Sequence, residues 1–150
     1  MGERPCISPP VGRARGPRLT RLLLDTTFLV DADRSGGALD ALIDDEDEAA
    51  VAAVTVAELR VGVLLSTARY RDGRQAFLDD VLASLPVIDY DSAVATAHAD
   101  LLAYVRRQGS PRGAHDLMIA ATAVAHGRTV VTADSDAFGD LPGVPVRAHR

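Results

Sequence analysis

Short apolar runs alternate with segments of helical periodicity along most of the chain, and this alternation constrains the fold more than any other feature. The apolar runs, which we interpret as buried strands, are RLLLD (21–25), AAVAAV (49–54), PVIDY (86–90), RTVVTAD (128–134) and PVRA (145–148). Strands that are apolar throughout and are separated by helices form parallel sheets covered on both faces. We therefore predict an α/β fold, a three-layer α/β/α sandwich with a mostly parallel sheet of about five strands.

The segments between these runs supply the predicted helices. The first helix begins at Thr26, and the later ones cover residues 38–43, 55–68, 72–84, 91–108 and 114–127. The apolar residues at helical spacing in segment 55–68, which we expect in the core, are Val56, Leu59, Val63 and Leu64. The acidic run at 44–48 is predicted to be a solvated loop.

Composition excludes several classes of protein. A chain of 150 residues is one domain by the usual prior, and no apolar stretch approaches the ~20 residues of a membrane span. Cys6 is the only cysteine, so an internal disulfide is excluded. All 16 basic residues are arginine, which excludes mechanisms that need lysine. Because the formal net charge is −5, a polyanion must bind through local arginines or a bound cation.

Residues 1–20 differ in composition from the rest of the chain. They hold four of the eight prolines, three glycines, four arginines and one acid, without apolar periodicity. We predict a disordered basic N-terminal arm, or sequence upstream of the true start, followed by one domain over 21–150. The arm has no apolar stretch of the kind found in secretion signals, so a cytoplasmic location is expected.

Four acids fall at one edge of the predicted sheet. Asp25 and Asp134 end the first and fourth predicted strands. Glu58 and Asp116 lie in the first turns of predicted helices that begin at the same edge. Ligands of open α/β sheets bind outside the carboxyl ends of the strands, which is where these acids are expected to meet.

Each acid alone also has a purely structural explanation. Thr55 and Glu58 fit a capping box, in which each side chain bonds a free backbone amide. Asp116 suits the positive end of a helix dipole, and Asp134 suits a turn. Asp25 is placed to cap the helix that follows it. These alternatives stay open for each residue taken singly.

The four acids taken together indicate a cation. Two carboxylates about 4 Å apart repel by about 4 kcal/mol at an effective dielectric of 20. A fold tolerates this when a cation lies among the acids or when some of them stay protonated. Arg112 lies near Asp116 in the sequence. Oxygen ligands favour Mg²⁺ or Mn²⁺ over Zn²⁺, and such an ion can activate water against a phosphodiester.

Four segments carry a resemblance to a known family: LLLDTTFLV, TVAELRVG, HDLMIAATAVAHG and VVTADSDAF. Together they resemble the motifs of PIN-domain proteins and, more narrowly, of the VapC toxins of bacterial VapBC toxin–antitoxin pairs. The resemblance covers residues 21–148 and implies a Mg²⁺- or Mn²⁺-dependent endoribonuclease. The implied catalytic acids are Asp25, Glu58, Asp116 and Asp134. The implied metal ligands are Asp25, Asp116, Asp134 and Asp136, with Asp136 as a substitute for Asp134 or an aid to it. The supporting hydroxyls by the same match are Thr27 and Thr132.

The resemblance also implies partners. The expected substrate is a structured RNA, tRNA or rRNA, whose cleavage inhibits translation. A VapB antitoxin is expected to place its C-terminal segment in an apolar groove beside the site. A homodimer, a heterotetramer or a larger assembly with the antitoxin, and no membrane partner, are expected as well.

Two arginine clusters are candidates for phosphate contacts. The first is formed by Arg69, Arg71 and Arg74, and the second by Arg106, Arg107 and Arg112. We favour the second because its turn leads directly to Asp116. His115, beside Asp116, is a candidate for proton transfer or RNA contact, although a histidine in this position is more often a surface or capping residue.

Two other functions are compatible with parts of this pattern. A haloacid-dehalogenase-like phosphohydrolase also places an aspartate after its first strand, but it needs a second aspartate where this chain has Thr27. A catalytically inactive PIN-like module that binds RNA or protein is expected to have lost an acid, and all four are present here.

Overall fold

The computed structural model describes residues 20–36, 43–44 and 46–149. Its elements in chain order are β1 (Thr20–Leu24), α1 (Thr26–Arg34), β2 (Asp47–Ala52), α2 (Ala53–Leu64), α3 (Ala68–Ser84), β3 (Val87–Ile88), α4 (Ser92–Gln108), α5 (Ala114–His126), β4 (Thr129–Thr132) and β5 (Val146–Ala148). A 3₁₀ turn at Ser135–Ala137 lies between β4 and β5. Within the described part of the chain, no helix is long and apolar enough to span a membrane.

The five strands form one sheet in the order β3-β2-β1-β4-β5, and every neighbouring pair is parallel. Leu23 in the central strand lies opposite Ala50 of β2 and Val130 of β4. The carboxyl ends of β1, β2 and β4 therefore reach the same edge, and the predicted parallel sheet is confirmed.

Helices cover both faces of the sheet. Successive side chains of β1 point to opposite faces, as in any strand. Leu23 packs with residues of α4 and α5, including Val105 and Ala120. Leu22 and Leu24 instead pack with α1 and α3. Two separate apolar cores thus lie on either side of the sheet, which confirms the three-layer prediction.

The acidic run at 44–48 is only partly a loop, which corrects the prediction. Asp47 and Glu48 begin β2 and pair with Thr20 and Arg21 of β1. Glu48 accepts a hydrogen bond of 2.9 Å from Arg128, whose guanidinium also donates to the carbonyls of Leu22 and Glu48. These contacts allow an acidic residue to continue the strand pairing.

The helix predicted over 55–68 is shifted and shorter in the structure. It begins at Ala53 and ends at Leu64, and the next helix begins at Ala68 rather than at residue 72. The break coincides with Ser66, whose hydroxyl donates to the Val63 carbonyl at 2.6 Å. Such local side-chain bonds compete with continued helix.

The predicted core assignment is wrong for Leu64. Val63 is buried, and Val56 and Leu59 pack against the core on the α1 and α3 side. Leu64 is 66% exposed because it lies at the end of α2, where no described element covers it.

Two predicted segments fall largely outside the described residues. Of the arm predicted over 1–20, only Thr20 is described, and it begins β1. Of the helix predicted over 38–43, only Ile43 is described, and it packs against the same core as Leu22.

Candidate active site

Asp25 lies directly after β1 and is 2% exposed. Its Oδ1 accepts a hydrogen bond of 2.8 Å from the backbone amide of Phe28, so it caps α1. The capping explanation for Asp25 is therefore correct, but it uses only part of the hydrogen-bonding capacity of the carboxylate. The carboxyl group also lines a pocket at the edge of the sheet.

A chain of hydroxyl groups joins Asp25 to the end of β4. The Thr27 hydroxyl donates to the Asp25 carboxylate, with oxygen distances of 2.9 and 3.0 Å. It lies 3.1 Å from the Thr132 hydroxyl and accepts from the Ala133 amide at 3.2 Å. The Asp134 amide in turn donates to Thr132 at 2.9 Å. Both predicted supporting threonines therefore connect the segments that carry Asp25 and Asp134.

The Glu58 carboxylate accepts a hydrogen bond from a side chain of α1 and does not form a capping box with Thr55. Thr26 donates a hydrogen bond of 2.8 Å to its Oε1. Since α2 begins at Ala53, Thr55 is the third helical residue, and Glu58 lies beyond the first turn. The capping-box explanation is therefore wrong, because Thr55 is buried and its hydroxyl faces Thr26.

His115 lies beside Glu58. Its Nδ1 is 3.5 Å from Oε2 of Glu58, and its side chain is 58% exposed. The two residues come from α5 and α2, so this contact joins the start of α5 to the middle of α2. The His115 side chain is therefore open to solvent.

Asp116 lies in the first turn of α5, as predicted. The helix begins after Gly113, which provides no side-chain cap. A Cβ at position 113 would lie 3.0 Å from Oδ2 of Asp116. The glycine therefore leaves room for the carboxylate in its present orientation.

Burial and mutual repulsion perturb these acids. Burial raises the pKa of Asp116, and the negative charges of Glu58, Asp25 and Asp134 raise it further, while His115 lowers it. Burial raises the pKa of Asp25, and the hydroxyls of Thr132 and Thr27 and the Phe28 amide partly offset this. The charge of Asp134 also raises the pKa of Asp25. The charges of the other three acids therefore act on Asp116, and the charge of Asp134 acts on Asp25.

The two candidate fourth acids differ in position. Asp134 follows β4, is exposed, and is close enough to influence both Asp25 and Asp116. Asp136 lies on the 3₁₀ turn, is also exposed, and its backbone carbonyl accepts a hydrogen bond from Arg112. Asp134 is therefore the better placed of the two.

A pocket of about 330 Å³ collects most of the site. Its lining includes Asp25, Glu58 and Asp116, together with Thr26, Thr27 and Arg34. Arg34 is the last residue of α1 and is exposed. It brings a positive charge to an otherwise acidic pocket, as a phosphate ligand would require.

The described residues contain no group of three or more His, Cys, Asp or Glu side chains that could hold a metal ion as they stand. A cation bound by three of these acids therefore requires the side chains to come closer together. The chemistry of the donors still fits Mg²⁺ or Mn²⁺, since all are carboxylates. Burial first, and then the negative charges of neighbouring acids, raise the pKa values of Asp25 and Asp116, and a bound cation would offset those charges.

Arg112 contacts the segment that follows β4. Its guanidinium lies 3.2 Å from the Asp140 carboxylate and also donates to the Asp136 carbonyl. Arg106 and Arg107 are exposed at the end of α4. The phosphate contacts of these three arginines stay a prediction.

Sequence reasoning did not identify Thr26, Arg34 or Gly113 as site residues. Thr26 and Arg34 belong to the site because α1 packs against α2 there. The adjacency of Thr26 to Asp25 was a usable signal, but its partner Glu58 lies 32 positions away. Gly113 carried a signal as well, because it directly precedes the predicted helix of Asp116.

Comparison with known proteins identifies relatives. Residues 22–144 match the PIN domain family. Ribonuclease VapC5 of Mycobacterium tuberculosis is 39% identical over 123 residues, covering 81% of this chain and 87% of that protein. The tRNA(fMet)-specific endonuclease VapC of Salmonella typhimurium is 32% identical over 96 residues, covering 64% of this chain and 71% of that protein.

A solved structure gives the same result. VapBC2 from Rickettsia felis, bound to a DNA fragment from its promoter, superposes with a TM-score of 0.78 and 25% identity. The match covers 87% of this chain and 100% of the other. These similarities identify the PIN-domain family in place of the haloacid-dehalogenase-like phosphohydrolase considered from the sequence. The chain belongs to the PIN-domain family and, within it, to the VapC-type ribonuclease toxins.

Proposed function

We propose that this ribonuclease toxin is a Mg²⁺- or Mn²⁺-dependent endoribonuclease that cleaves structured RNA, tRNA or rRNA, at the pocket of Asp25, Glu58 and Asp116. The observation that carries the proposal is that Asp25, Glu58 and Asp116 line one pocket, where burial and then the charges of Glu58, Asp25 and Asp134 raise the pKa of Asp116. Carboxylates that repel one another in this way are costly to the fold unless a cation is bound among them.

The metal ligands we assign are Asp25, Asp116 and Asp134, with Glu58 binding directly or through water. Asp136 is the alternative to Asp134. When bound, Mg²⁺ or Mn²⁺ lowers the pKa of a coordinated water and offsets charge on the phosphate. Arg34 lies in the same pocket and is placed to contact the phosphate as well.

The remaining residues orient the acids. Thr27 fixes the Asp25 carboxylate and ties it to the end of β4 through Thr132. Thr26 fixes Oε1 of Glu58 and leaves Oε2 facing His115. Such supporting hydrogen bonds set the rotamers of ligands and tune their basicity.

The reaction we propose is hydrolysis of a phosphodiester. The oxygen of water forms a bond to phosphorus as the bond from phosphorus to the 3′-oxygen breaks, in line with the attack. The displaced 3′-oxygen takes up a proton. The products carry a 5′-phosphate and a 3′-hydroxyl.

The substrate class rests on the relatives. One of them is named as a tRNA(fMet)-specific endonuclease. We propose a tRNA or an rRNA for this chain without assigning the particular RNA. Cleavage of either would inhibit translation.

The proposed protein partner is a VapB-type antitoxin. The Rickettsia structure is that of a VapBC pair. Beside the acid pocket, a groove of about 220 Å³ is lined by Val30, Leu59 and Phe77 and also by Glu58. Glu58 lines both this groove and the acid pocket, so an apolar segment of the antitoxin bound in the groove would also cover the acid pocket.

The homodimer and the larger assembly with the antitoxin stay predictions. The exposed apolar residues that offer a surface for association are Val61, Leu64 and Leu65 at the end of α2.

The experiment incubates the purified, antitoxin-free chain with total bacterial RNA in Mg²⁺, in Mn²⁺ and in chelator, with Asp116→Asn alongside. We expect discrete fragments that require metal and disappear in the variant. Sequencing the fragment ends would then define the target. Equal cleavage by Asp116→Asn would show that the site is wrong or that the activity is a contaminant. An intact chain that binds RNA but never cleaves it would instead favour a binding module.

A further inference from the structure

We propose that Arg69, Tyr70 and Arg74 on α3 form a second RNA-binding site, which holds a single-stranded stretch of the substrate away from the scissile phosphate. We call these three residues the α3 platform. The proposal rests on the ribonuclease function proposed above and names where the flanking RNA binds.

The α3 platform has the geometry of a stacking surface. The Arg69 guanidinium lies 5.2 Å from the centroid of the Tyr70 ring, and that of Arg74 lies 5.9 Å from it. Both distances are within the range of cation–π contacts. Tyr70 is 51% exposed, so part of the ring remains open to solvent. An exposed aromatic ring can stack a base, and the two arginines beside it can bind the adjoining phosphates.

The platform is continuous with the acid pocket. Thr26, Arg34 and Glu58 line both the acid pocket and the neighbouring groove of about 220 Å³. Arg74 lines that groove and also contacts Tyr70. The path from the acids to Tyr70 therefore passes Arg34 and then Arg74.

These arginines are available for phosphate. Within the described residues, neither Arg34, Arg69 nor Arg74 forms an ion pair with a carboxylate. Arg74 donates to the Gly62 carbonyl at 3.2 Å, which fixes it over the groove without neutralising it. Arg112, in contrast, already pairs with Asp140.

The overall charge makes a local platform necessary. The chain carries a formal net charge of −5, and the catalytic pocket is itself acidic. RNA therefore gains little from bulk attraction, and its affinity depends on positions where cations are grouped. We accordingly place the flanking RNA strand on the α3 platform, which contains two arginines of the first cluster, rather than on the second cluster of Arg106, Arg107 and Arg112.

Single-stranded RNA suits this surface better than a duplex. Stacking on Tyr70 requires an unpaired base, and sequence-tolerant binding of single strands combines such stacking with cationic contacts to the backbone. An exposed loop of a structured RNA provides both an unpaired base and an accessible backbone.

The test measures RNA binding in the Asp116→Asn background, where cleavage does not interfere. The probe is a fluorescein-labelled single-stranded RNA of mixed sequence, about 16 nucleotides long. When Tyr70→Ala is introduced into the Asp116→Asn chain, we expect RNA binding to weaken by about five- to a hundredfold with little change in its salt dependence. Added Arg69→Ala should reduce the slope of log affinity against log salt by about 0.7, as for one lost phosphate contact on a single strand.

Control variants separate stacking from general damage. Tyr70→Phe keeps the ring and should bind like the parent, and Arg60→Ala removes an exposed arginine of α2 outside the platform. In the chain with Asp116 intact, Tyr70→Ala should raise KM for long RNA while the metal dependence of cleavage persists. Because Tyr70 is largely exposed, thermal unfolding should be nearly unchanged.

Several outcomes would overturn the inference. One is that Tyr70→Ala and Arg69→Ala both bind the probe as tightly as the parent, and another is that the parent does not bind it. Loss of binding in Arg107→Ala instead would place the RNA at the end of α4. If the platform variants lost only antitoxin binding, the site would belong to the protein partner. The proposed function fails separately, if Asp116→Asn cleaves RNA normally.

Discussion

The hydroxyl of Thr26 donates a hydrogen bond of 2.8 Å to Oε1 of Glu58, across 32 positions of sequence. This bond joins the start of α1 to the middle of α2 at the edge of the sheet. It leaves the second carboxylate oxygen of Glu58 facing His115. The Thr26 hydroxyl therefore helps to determine how the Glu58 carboxylate faces the pocket.

Replacing Thr26 with valine tests this relationship. The substitution keeps the shape of the side chain but removes the donor to Glu58. We expect cleavage to fall by about ten- to a hundredfold, as for loss of a partner that orients a metal ligand. Thr26→Ser should retain most activity. An unchanged rate in Thr26→Val would show that Glu58 needs no such support.

Thr27→Val tests the hydroxyl chain between Asp25 and β4. The variant loses the donor to Asp25 and the contacts with Thr132 and the Ala133 amide. We expect the free energy of unfolding to fall by about 1 kcal/mol and cleavage to fall by at least about tenfold. Urea denaturation and initial rates measure the two effects. Wild-type values for Thr27→Val, with Thr27→Ser as the matched control, would contradict the assigned role.

Gly113→Ala tests the space beside Asp116. The added Cβ would lie 3.0 Å from Oδ2 of that residue, so the carboxylate must shift by a few tenths of an ångström. We expect a loss of activity of about tenfold or more with a stability change within about 0.5 kcal/mol. Gly73→Ala is the control, since a Cβ there meets no heavy atom within 4 Å. Equal activity of the two variants would mean that Asp116 tolerates reorientation.

Asp116→Asn tests the electrostatic cost of the site. The pKa of Asp116 is raised in the folded chain, so its contribution to stability is fully present below the ordinary value of 3.8 and is lost as the pH rises through the folded pKa. At neutral pH the ionised group therefore destabilises the metal-free protein. In chelator we expect Asp116→Asn to unfold at a higher temperature than wild type at pH 7, with the difference shrinking as the pH falls. A lower unfolding temperature at pH 7 would contradict the assigned repulsion.

Much of the fold and part of the site could be predicted from the sequence. The apolar runs defined a parallel sheet, because a strand covered on both faces needs apolar residues at every position. Once the strands are parallel, Asp25 and Asp134 must meet at one edge. Asp116 followed from the start of a strongly apolar helix.

Other features depend on packing between distant elements. Thr26 and Arg34 reach the pocket only because of how α1 lies against α2, which no local pattern specifies. The exposure of Leu64 depends on where α2 ends, and periodicity alone continued the helix past that point. Arg112 pairs with Asp140, 28 positions away, although its neighbour in the sequence is the turn before Asp116.

The most direct test of the central claim is a Mn²⁺ titration of the antitoxin-free chain, with free Mn²⁺ followed by electron paramagnetic resonance. This measurement does not depend on knowing the RNA target. If the four acids form one cation site, the wild-type chain takes up Mn²⁺ and Asp116→Asn binds it at least about tenfold more weakly. Equal binding by the two proteins, or no uptake by wild type, would contradict the account.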